Sequence, residues 1–186
     1  MTNTQFGFTP QKNTIDAAME TKRFIEPILD SRGAVIMTSL DVKGAFDAAS
    51  WQSILHGLKE LNCPRNLYNF SKGYFSHRTA VMTTNNVKVE KRITKGCPQG
   101  SCCGPGFCNV LYNSLLNMEL ITHSKAIAFA DDIMILTRGD SVAEAENYTN
   151  IETRKIQEWA IDNKITFNEN KSKAMLITRR RRKRRK

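Results

Sequence analysis

Three aspartates stand at the ends of short apolar runs in this sequence. Asp41 directly follows residues 34–40 (AVIMTSL), and Asp131 and Asp132 separate the runs AIAFA and IMIL. Runs of this length and composition predict buried β-strands, and two such runs joined by an acidic pair predict a tight hairpin. An isolated Asp-Asp pair is also ordinary turn chemistry. Whether these aspartates form a functional site or only an ordinary turn depends on whether the surrounding strands bring them together.

Convergence of the three carboxylates would favour metal-dependent phosphoryl transfer. Like charges at short range repel, and Mg²⁺ compensates them because it binds a few carboxylate oxygens and completes its shell with substrate phosphates. Two such ions about 4 Å apart activate an attacking oxygen and stabilise the leaving oxygen. The expected cofactor is a pair of Mg²⁺ ions, with Mn²⁺ as the alternative metal.

The remaining patterns supply a framework that brings the three aspartates together. Apolar residues at helical spacing follow Ser50, and a capping-box pattern opens a second helix at Ser141. The elements in chain order are a strand at 34–40, a helix at 50–61, strands at 126–130 and 133–136, a helix at 141–163 and a strand at 173–177. This βαββαβ order predicts an α+β fold with a ferredoxin-like antiparallel sheet backed on one face by helices. In such a sheet, the end of the first strand and the tip of the central hairpin are neighbours.

The segment between residues 62 and 98 interrupts this order. Pro64 is placed in the first turn of a helix, and the runs TAVMTT and VKVEKR on either side of Asn85-Asn86 predict a β-hairpin. The stretch KGCPQGSCCGPG predicts a loop, after which helical spacing resumes at Phe107.

Composition restricts the class of protein. The 186 residues are 40% hydrophobic and 25% charged, which is within the globular range. No apolar run reaches the roughly 18 residues of a membrane span, and the N-terminus lacks the apolar stretch of a signal peptide. An intracellular protein of the nucleus or cytoplasm, without a membrane partner, is expected. The five cysteines lack zinc-ligand spacing and are expected to be free thiols.

The positive charge is concentrated at the C-terminus. Residues 179–186 carry eight positive charges, which leaves +2 of the net +10 for the rest of the chain. Such a run is either a solvated terminus or a segment that binds phosphate backbone or directs the chain to the nucleus. The candidate nucleic-acid-binding residues in it are Arg179, Arg180, Arg181 and Arg182.

Four motifs, in this order, resemble the polymerase motifs of reverse transcriptases: SLDVKGAFD (39–47), KGCPQGS (95–101), FADD (129–132) and FNENKSKAM (167–175). QFGFTPQKNTIDAA near the N-terminus narrows the resemblance to the non-LTR (LINE-type) retrotransposon branch. It extends from about residue 5 to residue 178.

The resemblance implies a right-hand polymerase that lacks some of its parts. The implied divisions are partial fingers at 1–33, palm at 34–61, a fingers or connecting insertion with the hairpin at 62–98, palm at 99–178 and a basic tail at 179–186. Nothing after Ile177 resembles a thumb, and no endonuclease segment is identified, so the expectation is an incomplete fingers and palm module that copies templates poorly or not at all on its own.

The resemblance also implies roles for individual residues. Asp41 and Asp131 would bind both Mg²⁺ ions, and Asp132 would complete the acidic pair. Phe46 matches the aromatic position beneath the incoming sugar, where a ring would clash with a ribose 2′-OH and so favour dNTPs. Gln99 would contact the incoming nucleotide.

Three further residues are implied in nucleotide binding. Gly100 would let the backbone approach the nucleotide closely. Lys171 matches a lysine near the triphosphate and is the candidate proton donor to the leaving pyrophosphate. Lys12 is the candidate cation that neutralises the triphosphate. Where the family often has arginine after Gly-Phe, this chain has Thr9.

The expected activity is RNA-directed DNA polymerisation, in which a primer 3′-OH attacks the α-phosphate of a dNTP on an RNA template paired with a DNA or RNA primer. The alternative is an inactive or domesticated remnant that binds nucleic acid without copying it. Intact Asp41, Asp131 and Asp132 argue against decay by point mutation. A telomerase-like or group II intron-type polymerase would keep the chemistry and change the template. The sequence does not indicate an oligomeric state.

Overall fold

The computed structural model describes residues 2–85 and 87–179. Its helices and strands, in chain order, are α1 (Thr14–Asp30), β1 (Ala34–Leu40), α2 (Trp51–Glu60), α3 (Arg65–Phe75), β2 (Thr79–Thr84), β3 (Val87–Arg92), α4 (Gly104–Leu116), β4 (Ser124–Phe129), β5 (Asp132–Gly139), α5 (Val142–Asp162) and β6 (Lys173–Thr178). Every strand and helix predicted from the sequence is present. The sequence patterns did not predict α1.

β1 is a central strand of a four-stranded antiparallel sheet with the order β4-β5-β1-β6. It pairs with β5 from Ala34↔Gly139 to Leu40↔Ile133. On its other side it pairs with β6, beginning at Ala34↔Thr178. This strand order is the ferredoxin-like arrangement, so the predicted α+β fold class is confirmed.

One face of this sheet carries the main hydrophobic core. Ala126, Ala128, Ile133 and Ile135 alternate along β4 and β5, and they pack in one cluster with residues of α2, α4 and α5. α4 lies deep in this layer, since nine of its thirteen residues are buried. The helices therefore pack against one face of the sheet and stabilise the strand ends that carry the aspartates.

The opposite face is covered in part by α1. Ile127 and Leu136 point to that side, where α1 packs Phe24 against them. Asn13 caps α1 in a reciprocal capping box with Asp16. The sequence patterns predict helices on one face alone, and the structure adds α1 on the other, where its Phe24 and Ile25 pack against the sheet.

The N-terminal segment extends the sheet beyond β4. Phe6 N–H donates to the Ala128 carbonyl at 2.8 Å, and Ala128 N–H donates to the Thr4 carbonyl at 2.9 Å. These bonds form a parallel bridge centred on Gln5 and Ala128. Residues 4–6 therefore cover the outer edge of β4 and bring the following residues to the end of the β4–β5 hairpin.

Two loop boundaries differ from those predicted. Phe129 pairs with Asp132, so the hairpin turn is Ala130-Asp131 rather than Asp131-Asp132. Ala130 has a φ of 58°, and two-residue hairpin turns require such left-handed conformations. α4 begins at Gly104, three residues before the predicted Phe107, because proline is tolerated in the first turn of a helix.

The β2–β3 hairpin stands away from the core. All residues of both strands whose side chains are described are exposed, and the strands pair from Thr79↔Arg92 to Thr84↔Val87. The predicted hairpin is confirmed, although Asn86 of its predicted turn lies outside the described residues. In residues 2–85 and 87–179, no helix is both long enough and apolar enough to cross a membrane.

Candidate active site

Asp41 is held at the end of the central strand by a turn from another part of the chain. Its backbone N–H donates to Ser172 Oγ at 3.1 Å. Its carbonyl accepts a hydrogen bond from Asn168 N–H at 2.7 Å. Val42, the next residue, forms an isolated antiparallel bridge with Phe167. These contacts fix the backbone of Asp41 at both of its polar groups.

Asp132 lies on the strand that neighbours β1, next to the position of Asp41. Leu40↔Ile133 is the last pair in the β1–β5 register, so the next residues in register are Asp41 and Asp132. Residues opposite each other in an antiparallel pair project from the same face. Asp131 occupies the adjoining turn. The structure therefore brings the three predicted carboxylates to one end of the sheet.

The charges of Asp131 and Asp41 act on Asp132. Partial desolvation, then the charge of Asp131 and then that of Asp41, raises the pKa of Asp132. Burial, followed by Cys108 and Asp131, raises the pKa of Tyr112 on α4. Across residues 2–85 and 87–179, none of the three aspartates forms an ion pair. In these ranges, no basic side chain is therefore in direct contact with the negative charge of the site.

This donor set fits a magnesium ion that shares its coordination with substrate. No three His, Cys, Asp or Glu side chains in the described ranges are grouped closely enough to hold a metal by themselves. Mg²⁺ in phosphoryl-transfer sites is usually bound by one or two carboxylates and completes its shell with water and substrate phosphates. Carboxylates at a sheet end meet that requirement.

Replacement of Asp132 by asparagine is expected to raise the melting temperature at neutral pH. A carboxyl whose pKa is higher in the folded state than its unfolded value of about 3.9 costs stability once it ionises. The advantage of the variant should be full above the folded-state pKa and vanish as pH falls below about 3.9. Melting curves from about pH 3 to pH 8 would measure it, with exposed Asp162→Asn as the matched control. A pH-independent gain, or a loss at neutral pH, would contradict this.

Gln5 holds the backbone of the turn between β4 and β5. Its amide Nε2 donates to the Ala130 carbonyl at 3.1 Å, and its Oε1 accepts from the Ala130 N–H at 3.1 Å. Oε1 also accepts from Gly7 N–H at 2.9 Å. Ala130 is the residue with the unfavourable positive φ, and a side chain that is 2% exposed satisfies both of its backbone groups. Gln5 therefore stabilises the turn that positions Asp131.

Gly7 packs directly on the same turn. A Cβ atom at this position would lie 2.0 Å from the Ala130 nitrogen, so only glycine fits there. Asn109 on α4 donates to the Gly7 carbonyl at 3.0 Å. The sequence analysis used Gln5 and Gly7 only as part of the motif that indicates the family, and it did not predict their contacts with the turn. A glycine between two phenylalanines, outside any predicted turn, was the available signal for a close backbone approach.

Phe46 is half-buried and links two segments of the site. Its ring meets Phe8 edge-on, with centroids 6.5 Å apart. Its carbonyl accepts a hydrogen bond from Cys97 N–H at 2.8 Å, which ties the turn after Asp41 to the loop that carries Gln99. Gln99 itself is exposed. Gly100 has a φ of 80°, and no atom lies within 4 Å of the position that a Cβ would occupy there, so space remains beside this loop.

The two lysines assigned to the triphosphate are placed differently. Lys171 is exposed in the turn that is bonded to Asp41. Its backbone N–H donates to the Asn168 carbonyl at 3.1 Å. The Lys12 ammonium instead donates to the carbonyls of Asn3 at 2.5 Å and Gln5 at 3.1 Å, and it lies over the Phe6 ring. A triphosphate would have to replace those carbonyl contacts to bind Lys12.

Of the candidate residues in the basic tail, only the first is described. Arg179 forms an ion pair with Asp30 at 2.6 Å, beside the end of α1. Arg180, Arg181 and Arg182 lie outside the described residues.

The chain matches a protein family over almost its entire length. The family described as reverse transcriptase (RNA-dependent DNA polymerase) matches residues 1–185. A 115 kDa protein in the type-1 retrotransposable element R1DM of Drosophila melanogaster is 34% identical over 142 residues, 76% of this chain and 13% of that protein. The RNA-directed DNA polymerase from mobile element jockey of Drosophila funebris is 26% identical over 94% of this chain and 20% of its own length. The chain thus spans a fifth or less of these relatives.

Solved telomerase structures have a similar fold. Telomerase from Candida tropicalis in complex with a TWJ fragment of telomeric RNA has a TM-score of 0.72 at 15% identity, covering 93% of this chain and 30% of that one. The corresponding complex from Candida albicans has a TM-score of 0.71 at 12% identity, covering 95% of this chain and 32% of that one. At such low identity, the likeness shows a shared fold.

Proposed function

Because the chain belongs to the reverse transcriptase (RNA-dependent DNA polymerase) family, we propose that it extends a primer along an RNA template by metal-dependent nucleotidyl transfer. Its relatives include a 115 kDa protein of the retrotransposable element R1DM and the RNA-directed DNA polymerase of the mobile element jockey, which supports a polymerase of a non-LTR retrotransposon. The substrates would be a dNTP and a template RNA paired with a DNA or RNA primer.

The observation that carries this proposal is the convergence of Asp41, Asp131 and Asp132 at one end of the sheet. Asp41 and Asp132 are next in register after the last β1–β5 pair, and Asp131 lies in the turn between β4 and β5. A structural protein has no need for three mutually repelling carboxylates without basic partners. A site that receives phosphates and divalent cations does, because the ligands supply the missing positive charge.

In this mechanism the aspartates position the reacting groups. Asp41 and Asp131 would hold two Mg²⁺ ions, and Asp132 would complete the acidic site. When bound, the ions would lower the pKa of the primer 3′-hydroxyl and stabilise charge on the departing oxygen. The 3′-hydroxyl would lose its proton to solvent, and its oxygen would form a bond to the α-phosphorus while the bond between that phosphorus and the pyrophosphate oxygen breaks. Rigid attachment of Asp41 through Ser172 and Asn168 keeps the alignment on which the rate depends.

Lys171 is the proposed proton donor to the leaving group, and its position in the chain supports this role. It lies in the same turn, residues 168–172, whose ends are bonded to the backbone of Asp41. An exposed ammonium there could protonate the pyrophosphate as it departs. Gln99 and the open space beside Gly100 would accept the nucleotide on the other side of Phe46.

If Phe46 selects the sugar, Phe46→Val should raise the ratio of kcat/KM for ribonucleotides to that for deoxyribonucleotides. Loss of a single steric contact changes discrimination by about 10-fold to 200-fold. Steady-state incorporation of rNTP and dNTP would measure the ratio. Phe70→Val is the matched control, because Phe70 is 60% exposed on α3. An unchanged ratio in Phe46→Val would assign Phe46 to packing alone.

Primer extension tests the proposed function directly. The chain is incubated with poly(rA)/oligo(dT), dTTP and Mg²⁺, and elongation is followed with and without a chelator. Extension that requires Mg²⁺ and is lost in Asp131→Asn supports the proposal. Binding of the same RNA without any extension, even when the chain is joined to the thumb of an active relative, would favour the nucleic-acid-binding alternative instead.

A further inference from the structure

A second concave site lies outside the carboxylate centre. It is a groove of about 640 Å³ between the start of α2, the end of α3 and the segment that follows β3. This volume is within the range of about 300–1,000 Å³ typical of ligand sites. None of the residues assigned above to metal or nucleotide binding lines this groove.

The groove is lined by cations, and no acidic residue is part of its lining. Its charged or titratable lining residues are Lys72, His77, Arg92, Lys95 and Lys164. In the part of the chain that the structure describes, the four Lys and Arg side chains form no ion pair. Unpaired cations that surround a concavity attract an anion with several charges.

Two further features add to the positive potential and shape of the groove. Ser50 and Trp51, at the N-terminus of the ten-residue helix α2, line it, and the positive end of a helix dipole favours anions. Trp51 is stacked on Phe75 with ring centroids 5.3 Å apart. Its indole N–H donates to the Gly96 carbonyl at 2.7 Å. The aromatic wall is therefore held in place.

Basic side chains along a groove with a fixed aromatic wall are the combination that binds unpaired nucleic-acid strands. The cations contact successive phosphates, and the aromatic ring offers a surface for a base irrespective of sequence. A lone phosphate would use one or two of the cations and leave the ring without a role. The ligand best matched to both features is a strand of a few nucleotides.

We propose that this groove is an accessory binding site for the phosphodiester backbone of a single-stranded nucleic acid. Lys95 is four residues before Gln99, so the groove and the nucleotide loop are at most about 14 Å apart along the chain. A strand held in the groove would remain close to the catalytic centre between cycles. The anion site does not depend on the proposed polymerase activity, whereas its use during polymerisation does.

The salt dependence of binding tests the proposal. The probe is a fluorescein-labelled oligo(U) of about twelve nucleotides, and anisotropy is measured without Mg²⁺ or dNTP. Each phosphate contact to a single strand contributes about 0.7 to the slope of log K against log [salt]. Lys72→Gln with Lys95→Gln should therefore reduce the slope by about 1.4, a loss of affinity of roughly 60-fold at 50 mM salt and 10-fold at 200 mM.

A matched pair of lysines separates a site from general charge. Lys22→Gln with Lys59→Gln removes the same charge from exposed positions outside the groove and should leave the slope close to that of the wild type. Equal slopes for the wild type and the groove variant, or equal losses in the two variants, would overturn the proposal. All four lysines are exposed, so folding is not at risk, and melting temperatures would verify this.

Cross-linking locates the strand independently of affinity. An oligonucleotide containing 5-iodouridine is irradiated on the protein, and the attached peptide is identified by mass spectrometry. Attachment at Trp51 or His77 is expected, and attachment confined to Phe8 or Phe46 would place the strand in the catalytic site and overturn the proposal. Parallel measurements with oligo(dT) determine whether RNA or DNA is preferred. Because Asp131→Asn should still bind, failure of catalysis and failure of this site are distinguishable.

Discussion

Replacing Asp131 or Asp41 by asparagine is expected to lower the rate of Mg²⁺-dependent primer extension by at least about 10³-fold, equivalent to about 4 kcal/mol in the activation barrier. Asparagine keeps the size of the side chain and removes its charge. The pull on a divalent cation therefore falls while the turn and the strand end keep their shape. The loss should appear in kcat more than in KM, because the carboxylates act on the reacting oxygens rather than on the bulk of the substrate.

The controls for this prediction are an acidic residue elsewhere and the stability of the fold. Asp162→Asn, at the exposed end of α5, should leave extension unchanged. The Asp41 and Asp131 variants should melt no lower than the wild type, since each relieves repulsion among the three carboxylates. Near wild-type extension by either variant would remove the aspartates from the mechanism.

The location of these carboxylates was predictable from short apolar runs. Asp41 directly follows AVIMTSL, and AIAFA and IMIL border the acidic pair. The strands and their order could therefore be predicted from patterns that extend over a few residues. The position of the hairpin turn did not follow, because Asp-Asp is the better turn sequence and Ala130 adopts the left-handed conformation instead. Gln5 bonds to both backbone groups of Ala130 and so stabilises that conformation.

Contacts between distant segments account for the remaining differences. α1 carries apolar residues at helical spacing and a capping box, so a local signal for this helix was present and was overlooked. The sheet face that α1 covers could not be identified from that signal. Gln5 and Gly7 contact residues about 125 positions away. A local sequence pattern cannot predict a contact between such distant residues, so the partners of Gln5 and Gly7 could not be predicted.

Gly7→Ala is expected to lower primer extension by about 100-fold, because a displacement of the reacting groups by about 1 Å costs that much. The added Cβ would meet the Ala130 nitrogen at 2.0 Å. Backbone atoms cannot rotate away as a side chain can, so either the N-terminal segment or the hairpin turn must move. Movement of the turn displaces Asp131 from its position beside Asp132.

A glycine in an open position is the matched control. Gly73 lies in α3 with no atom near its Cβ position, and Gly73→Ala should raise stability by about 0.5–1 kcal/mol. The Mg²⁺ concentration that gives half-maximal extension distinguishes displacement of Asp131 from simple unfolding. It should rise in Gly7→Ala, whereas partial unfolding would reduce the amplitude alone. An unchanged rate in Gly7→Ala would show that the contact has no part in positioning the turn.

The central strand also has a consequence for synthesis of the protein. β1 is complete at residue 40, whereas its two partners begin at residues 132 and 173. At about 5–20 residues per second, a nascent chain would carry this apolar strand unpaired for roughly 5–18 s before β5 is made. Chaperones would be expected to shield it during that interval. Pairings so distant in sequence also slow folding. Asp41 would therefore be translated well before Asp131 and Asp132, and the candidate site would form only after the β4–β5 hairpin is made.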